Sequence, residues 1–325
     1  MEMEIMRILP LQIRRLFERL DMDWDRLQEI RLRVHKPVIL QYGEKELFLS
    51  GHGFLTGEQS LGYVTGGEEM KEAVEYISNY SRYAYEEEMG QGYITIRGGH
   101  RVGLAGQLVR ERGATKGMKY ISCINIRLAH EVIGCGTWLL PYLQGEQGLY
   151  NTLLVSPPRG GKTTLLRDLI RLLSDGEGMD RAYTVGVVDE RSEIGACFRG
   201  IPQNTLGCRT DILDGCPKAE GMMLLVRSMA PEVIAVDEIG SEDDMTAMEY
   251  AMHCGVHILA TIHGADWEEL QRKSAMVKLF REQFFGRYVV LGHHPGMVQG
   301  IYDGAGTPLC GPCKALVQQD RKKVV

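Results

Sequence analysis

The stretch that decides the fold is Leu153-Leu154-Val155-Ser156-Pro157-Pro158-Arg159-Gly160-Gly161-Lys162-Thr163-Thr164-Leu165-Leu166. It joins a short apolar strand to a tight loop of proline and glycine, and a Lys-Thr pair then opens a helix, which is the architecture of a phosphate-binding loop. Backbone N–H groups of such a loop and of the helix N-terminus attract anions. We therefore predict that residues 156–164 bind the phosphates of a nucleotide, with Lys162 on the phosphates and the Thr163 hydroxyl on Mg²⁺. Ser156 departs from the usual pattern, because the first glycine of the motif belongs at its position.

Length and composition bound the class of protein. A chain of 325 residues suits two domains, and 44% hydrophobic with 25% charged residues is typical of a soluble globular protein. A formal charge of −6 gives no general attraction to nucleic acid or acidic lipid. The acidic start, Met1-Glu2-Met3-Glu4, is unlike a signal peptide, and no run approaches the roughly 20 apolar residues that span a bilayer. We expect a cytoplasmic protein, which a membrane-bound partner could still recruit.

The cysteines give little evidence of a special chemistry. Eight are scattered without a regular framework, so we expect reduced thiols. The pair in Cys310-Gly311-Pro312-Cys313 has the spacing of the thioredoxin motif, but that motif needs a long helix after it, and the chain ends at Val325. An inert tail is the interpretation we favour, with half of a metal site and a redox site as alternatives.

The apolar pattern divides the chain into two regions. In the first, helices and strands are mixed, with predicted elements at residues 5–20, 29–42, 68–80 and 93–128. This pattern predicts a smaller α+β N-terminal domain over residues 1–133, followed by a connector over residues 134–149.

The second region alternates strands with helices. Predicted strands lie at residues 151–155, 183–188, 233–236 and 256–261, and predicted helices at residues 162–174, 218–229 and 242–254. Strands of near-continuous apolar character, separated by helices, indicate a parallel sheet that is buried on both faces. We therefore predict an α/β core with a mostly parallel sheet over residues 150–305, and a tail over residues 306–325.

Hydrolysis needs more than a phosphate loop: a metal partner, a base for water and positive charge for the transition state. The apolar strand at residues 233–236 ends in Asp237-Glu238, 75 residues after Lys162. Asp237 can hold the Mg²⁺ shell, and Glu238 can orient and deprotonate the attacking water. The alternative is an ordinary acidic pair where a strand meets a loop.

Polar side chains also follow two other predicted strands, at Asp189-Glu190 and at His263. The carboxyl ends of parallel strands share the edge of the sheet where ligands bind. We therefore expect an active-site role for at least one of the two carboxylates, with a structural ion pair to Arg191 as the alternative. His263 can sense the γ-phosphate or a metal-bound water, although a lone histidine is more often structural.

These four blocks, in this order, resemble the secretion ATPases that drive type II and type IV systems and pilus machines. The chain is similar, more closely, to the family of stage III sporulation protein AA, the ATPase encoded with the endospore channel proteins. The stretches on which this resemblance rests cover residues 90–106, 125–131, 188–193, 209–214, 217–221, 227–231 and 237–240. It implies a RecA-like P-loop ATPase core, and ATP and Mg²⁺ as cofactors.

The resemblance also implies roles for single residues. The acidic box of the family matches Asp189, Glu190 and Glu193. The second acidic strand end matches Glu238, and the histidine box matches His263. Arg227 matches an arginine in the helix before the second acidic strand. Arginines of the N-terminal domain complete the nucleotide site in these ATPases, and Arg127 is the best match, with Arg101 a weaker candidate.

The same resemblance implies an assembly. Such ATPases are hexameric rings, so we expect a homo-oligomer of this kind. The implied partners are integral membrane proteins of the sporulation channel, on which the chain would dock from the mother-cell cytoplasm. Nucleic acid is not expected as a partner.

Two other functions stay open. Relatives fused to a single-strand-binding domain suggest a nucleic-acid-associated P-loop ATPase, for which the candidate basic patch is Arg281, Arg287, His293 and His294. The second open function is a scaffold that binds ATP without turnover. The presence of all four residues expected for hydrolysis argues against it: Lys162, Thr163, Asp237 and Glu238.

Overall fold

The computed structural model describes residues 1–78, 92–111, 114–145 and 148–314. The chain divides into two units, Met1–His130 and Glu131–Val325, close to the predicted end of the first domain at residue 133. No described helix is both long and apolar enough to cross a membrane.

An antiparallel sheet forms the first unit, with the strand order β4-β3-β2-β1-β7-β6-β5 in its described part. The strands are β1 (Leu27–Arg33), β2 (Ile39–Tyr42), β3 (Lys45–Leu49), β4 (Leu55–Thr56), β5 (Tyr93–Thr95), β6 (Arg101–Glu111) and β7 (Ala114–Arg127). The described helices are Glu2–Ile8, Leu11–Phe17 and Gly67–Ile77, with 3₁₀ turns at Trp24–Arg26 and Gln59–Leu61. Alternate residues of β1, such as Ile30 and Leu32, are buried in one core with residues of all three helices.

The helix that the spacing predicts over residues 5–20 is two helices in the structure. Pro10 stands at the N-cap of the second, and Leu9 before it is extended, with φ −77° and ψ 140°. A residue before proline avoids the helical region because it clashes with the proline ring. The chain therefore breaks here, while both helices keep apolar residues such as Ile5 and Ile13 in the core.

The second unit is built on a larger sheet, with the described strand order β12-β11-β13-β14-β10-β15-β16-β17 and β18 beside β16. Its strands are β10 (Thr152–Ser156), β11 (Val185–Asp189), β12 (Thr210–Asp214), β13 (Val233–Val236), β14 (His257–His263), β15 (Arg287–Leu291), β16 (Met297–Asp303), β17 (Pro308–Cys310) and β18 (Cys313–Lys314). The first six run parallel to one another. The last three are added by antiparallel pairing, β16 beside β15 and both β17 and β18 beside β16.

The helices of this unit follow the strands. They are Leu140–Leu143, Lys162–Asp175, Lys218–Ser228, Glu242–His253, Trp267–Arg272 and Ser274–Arg281, and the connector also holds a 3₁₀ turn, Thr137–Leu139, and a small hairpin of β8 (Gln144–Gly145) and β9 (Gly148–Leu149). All of β10 is buried, with Leu153 and Val155 in one apolar cluster and Leu154 in another. Successive residues of a strand face opposite sides, so the sheet is covered on both faces, as the apolar pattern predicts.

Five described strands of this sheet were not predicted: β12, β15, β16, β17 and β18. β12 lies at the edge of the parallel strands, and its residues are only partly buried, which weakens the apolar signal. β17 and β18 lie within the stretch that we expected to be a tail from residue 306, yet both pair with β16. The Cys310 Sγ contacts the carbonyl of Gly311 at 3.4 Å, while the side chain of Cys313 and residues 315–325 lie outside the described part.

Candidate active site

The phosphate loop connects β10 to the helix Lys162–Asp175. Gly161 is the N-cap of this helix, with φ 92°, in the left-handed region that favours glycine. A glycine has no side chain to accept from the first-turn amides, so these N–H groups are suited to binding an anion. The loop therefore has the backbone that the sequence predicts for a phosphate site.

The structure gives a reason for Ser156. Its side chain is fully buried, and its hydroxyl donates a hydrogen bond of 2.8 Å to the carbonyl of Pro157. A Cβ on residue 160 would lie 2.3 Å from the Ser156 Oγ and 2.8 Å from the carbonyl oxygen of Gly292. Ser156 and Gly160 are thus matched: the hydroxyl closes the loop from inside, and only glycine leaves room for it.

Lys162 meets the acidic end of β13. Its Nζ lies 2.7 Å from Glu238 Oε1 and 3.2 Å from Asp237 Oδ1, and the residue is only 7% exposed. The Thr163 hydroxyl donates to Asp237 Oδ2 at 2.7 Å. The pair predicted to hold Mg²⁺, Thr163 and Asp237, is therefore brought together.

A metal fits these two side chains. Within the described residues, no group of three or more His, Cys, Asp and Glu side chains forms a metal cage. A nucleotide-bound Mg²⁺ does not need one, because phosphate oxygens and water supply most of its ligands and the protein adds a hydroxyl and a carboxylate. Thr163 and Asp237 offer that donor set.

Glu238 lies at the centre of a charged cluster. Its Oε1 faces Lys162 and the His263 Nε2, at 2.7 and 2.8 Å, and its Oε2 faces an Arg191 nitrogen at 2.5 Å. Burial raises the pKa of Glu238, but the hydrogen bond and charge of Lys162, with His263 and Arg191 beside it, outweigh burial and leave the pKa below its ordinary value. The carboxylate is kept ionised, as a base for water must be.

The backbone turn after β13 is held by Thr261 of β14. Glu238 has φ 57°, a left-handed conformation that is costly for a residue with a side chain. The Glu238 amide donates to Thr261 Oγ1 at 2.9 Å, and the Thr261 hydroxyl donates to Asp237 Oδ1. This fully buried threonine fixes both carboxylates at once, and reasoning from the sequence missed it. Its position inside an apolar strand, two residues before His263, was the available signal.

The acidic end of β11 is used differently. Asp189 is 2% exposed, and its two oxygens accept hydrogen bonds from the backbone amides of Glu193, Ile194 and Gly195, at 2.8 to 2.9 Å. Burial raises its pKa to about 6, against those amides, which favour the charged form. Glu190 forms an ion pair with Lys218. Asp189 therefore shapes the loop after β11, and none of its described hydrogen bonds reaches Lys162.

Both acidic ends nevertheless border one narrow cleft. Its lining residues are Asp189, Glu190, Arg191, Glu193, Lys218, Asp237 and Glu238. The three residues of the matched acidic box thus lie at the predicted edge of the sheet, beside the candidate base.

Arg227 lies near the end of the helix Lys218–Ser228. The helix Lys218–Ser228 packs Gly221 beside Val188 near the carboxyl end of β11, and Leu225 beside Gly186 near its start. Arg227 follows at the exposed end of this helix, towards the opposite edge of the sheet from Lys162.

The N-terminal arginines belong to the first unit. Arg127 ends β7, where it is 64% exposed and lies 3.4 Å from Glu29. Its neighbour in the sheet is Arg101, whose guanidinium lies 3.6 Å from the ring centre of Tyr93. A role for either in a nucleotide site stays a prediction.

Three of the four residues considered as a basic patch for nucleic acid lie at the two ends of β15. Arg287 begins β15 and is bound to the carbonyl of Tyr142 at 2.7 Å and over the ring of Tyr150 at 3.7 Å. His293 and His294 follow the other end of β15, about 20 Å along the chain at the usual rise per residue. The turn that holds them lies against the phosphate loop, through Gly292 and Pro295.

Comparisons with known proteins agree with this architecture. The chain is 42% identical over 309 residues to "Stage III sporulation protein AA" of Bacillus subtilis (strain 168), which covers 94% of this chain and 96% of that protein. Among solved structures, the Legionella pneumophila ATPase DotB superposes with a TM-score of 0.56 at 14% identity, over 87% of this chain and 76% of that one. The structure of the pilus retraction motor PilT with bound ADP superposes with a TM-score of 0.53 at 16% sequence identity, over 86% of this chain and 77% of that one.

At these identities the structural likeness establishes the fold alone. It confirms the predicted fold class: a RecA-like α/β core with a mostly parallel sheet, preceded by an α+β unit. The family model for "Sporulation stage III, protein AA" matches residues 1–309. By this match and by its similarity to the Bacillus subtilis protein, the chain belongs to the sporulation stage III protein AA family.

Proposed function

We propose that this chain is a Mg²⁺-dependent ATPase that works as a motor of the secretion-ATPase type. The observation that carries the proposal is the meeting of Lys162 and Thr163, at the start of the phosphate-loop helix, with Asp237 and Glu238, at the end of β13. These are the parts that bind phosphates, hold a metal and activate water in P-loop enzymes.

The chemistry follows from these positions. The loop amides and Lys162 bind the β- and γ-phosphates, and Lys162 leaves the carboxylates to do so. Glu238 then takes a proton from water as the water oxygen attacks the γ-phosphorus, the bond to the bridging oxygen breaks, and ADP and phosphate leave. Mg²⁺ held by Thr163 and Asp237 offsets charge on the phosphates.

Further parts of the proposal rest on the family resemblance. We infer that Arg127 supplies transition-state charge, that the chain forms a hexamer, and that it docks from the cytoplasm on integral membrane proteins. Its role would be to power assembly or operation of the mother-cell-to-forespore channel in endospore formation. Size measurements with and without an ATP analogue, with pulldown of membrane partners, test the assembly.

The central experiment measures phosphate release from ATP by the purified chain. We expect turnover that EDTA stops, and loss of ATP binding in Lys162→Ala. Arg127→Ala should bind ATP but turn over about 10³–10⁵ times more slowly. Turnover that is absent in the wild type, or equal in Lys162→Ala, would refute the ATPase, and turnover that appears only with single-stranded DNA would favour the nucleic-acid-associated alternative.

A further inference from the structure

We propose that Arg191 is a positioning residue for Glu238: it holds one carboxylate oxygen in place after bound phosphates have taken Lys162 away. The inference rests on the proposed ATPase function and extends it to a residue outside the predicted machinery. The sequence suggests for Arg191 only a structural ion pair near the end of β11. In the structure its guanidinium lies 2.5 Å from Glu238, on the neighbouring strand end.

The two oxygens of Glu238 have different partners. Lys162 and His263 share Oε1, whereas Arg191 contacts Oε2. When Lys162 turns to phosphates, Oε1 loses its nearest buried cation and becomes the oxygen that can accept a proton from water. Oε2 keeps its contact with Arg191, so the carboxylate stays oriented while Oε1 keeps only His263 of its two neighbours.

The loop that bears Arg191 is itself fixed. Asp189 binds the amides of residues 193–195, and the hydroxyl of Ser192 donates to Asp214 of β12. Ser192 has φ 51°, which turns the chain sharply next to Arg191. The backbone after Arg191 is therefore anchored to the end of β11 through Asp189 and to β12 through Asp214, and the guanidinium reaches Glu238 from this fixed loop.

A purely structural role does not explain this contact. The side chain of Arg191 is 63% exposed, against 17% for Glu238, and water around the guanidinium screens the pair, so its contribution to stability is small. The contact is made instead to the side chain that must be aligned with water, where a displacement of 1 Å costs about 100-fold in rate. The expected effect of Arg191 is therefore on turnover and not on folding.

The first test is the kinetics of Arg191→Ala and Arg191→Lys. We expect Arg191→Ala to lower kcat about 10–100-fold, with KM for ATP and the melting temperature nearly unchanged, and guanidinium ion in solution to restore part of the loss. Arg191→Lys should recover part of kcat because it keeps the charge. The matched control is Arg181→Ala, which also removes an exposed arginine paired with a glutamate. Arg181 lies 2.6 Å from Glu232, which precedes β13, whereas Glu238 follows the other end of that strand.

The second test does not depend on turnover. Hydrogen exchange at the amides of residues 237–240 should be faster in Arg191→Ala than in wild type when an ATP analogue is bound. Without nucleotide the two should agree, because Lys162 still holds Glu238.

These outcomes separate the two proposals. A wild type that binds ATP without hydrolysing it refutes the ATPase, and the exchange measurement still decides the role of Arg191. Equal exchange with the analogue bound, or a kcat of Arg191→Ala equal to that of Arg181→Ala, overturns the positioning role. A loss that appears as raised KM or as lower melting temperature overturns it as well, since it would show a binding or structural role.

Discussion

β11 and β13 are neighbouring parallel strands that end in the same two residues, Asp189-Glu190 and Asp237-Glu238. Val188 pairs with Val236, so the two Asp-Glu pairs begin side by side. Yet Asp189 binds backbone amides and Glu190 binds Lys218, whereas Asp237 and Glu238 bind Lys162.

Position in the sheet explains the difference. One strand, β14, lies between β13 and β10, which carries the phosphate loop. β11 lies on the other side of β13 and is therefore about 4.8 Å, one strand spacing, further from the loop. The turn after each strand adds to this difference. Residues 193–195 fold back over Asp189, while Glu238 turns left-handed and is held by Thr261. The same dipeptide thus builds a loop on one strand and a candidate reaction centre on the next.

Exchanging each glutamate for glutamine is the strongest test of this comparison. In Glu238→Gln we expect kcat to fall about 10²–10⁴-fold, because an amide cannot accept the proton of water. Nucleotide binding should persist, since Lys162 and the loop amides are intact. Phosphate release and equilibrium binding of an ATP analogue measure the two effects separately.

Glu190→Gln is the partner experiment. It removes an ion pair to Lys218, so we expect kcat to change by less than about threefold, as for ordinary surface substitutions. Equal losses in the two variants would show that the two strand ends act together on water, and the contrast drawn between them would fail.

Removing each aspartate should separate stability from activity. Asp189→Ala leaves three backbone amides, two of them buried, without an acceptor, and we expect the free energy of unfolding to fall by about 3 kcal/mol. Asp237→Ala should unfold much like wild type, because Lys162 keeps Glu238 as its partner, but should need more Mg²⁺ for turnover. Denaturant unfolding and Mg²⁺ titrations of activity measure these effects, and a stability loss confined to Asp237→Ala would contradict the assignment.

Much of this site follows from the sequence because parallel strands share an edge. Asp237 and His263 stand at the ends of two apolar strands, and Lys162 begins the helix that follows a third. A parallel sheet brings these strand ends to one edge. The order of strands within the sheet does not follow in the same way, since β11 and β13 have equally apolar sequences. That order is what makes one acidic pair different from the other.

Other features depended on contacts between distant residues. The match between Ser156 and Gly160 appears only in the folded loop, where a Cβ at residue 160 would meet the Ser156 hydroxyl and the Gly292 carbonyl. Arg227 could be matched by family pattern, but the direction and length of its helix take it towards the opposite edge of the sheet. β17 and β18 carry no strong strand signal, and pairing with β16 decides their structure.

Thr261 offers a finer test, because it contacts the pair on β13 and not the pair on β11. Thr261→Val removes the hydroxyl that accepts from the Glu238 amide and donates to Asp237. We expect kcat to fall about tenfold as the turn loosens, the equivalent of one lost hydrogen bond of about 1.4 kcal/mol. Thr261→Ser keeps the hydroxyl and is the control. Equal activity of the two variants would mean that strand pairing alone holds the turn.

The smallest expected effect is on the pH dependence of stability, to which Asp189 and Glu238 should contribute differently. The pKa of Asp189 is raised to about 6 in the folded chain. Between about pH 4 and pH 6 the folded chain therefore keeps a proton on Asp189 that the unfolded chain has released. For this reason the contribution of Asp189 to stability falls as the pH rises. Between pH 5 and pH 7 the contribution is about 1 kcal/mol, and it should vanish in Asp189→Asn. The lowered pKa of Glu238 has the opposite effect: its contribution to stability is lost only when the pH falls below the ordinary pKa range of glutamate. Glu238→Gln should therefore keep the wild-type dependence of the unfolding free energy on pH between pH 5 and pH 7. Unfolding measured at the two pH values decides this, and a slope that disappears in Glu238→Gln instead would reverse the roles of the two carboxylates.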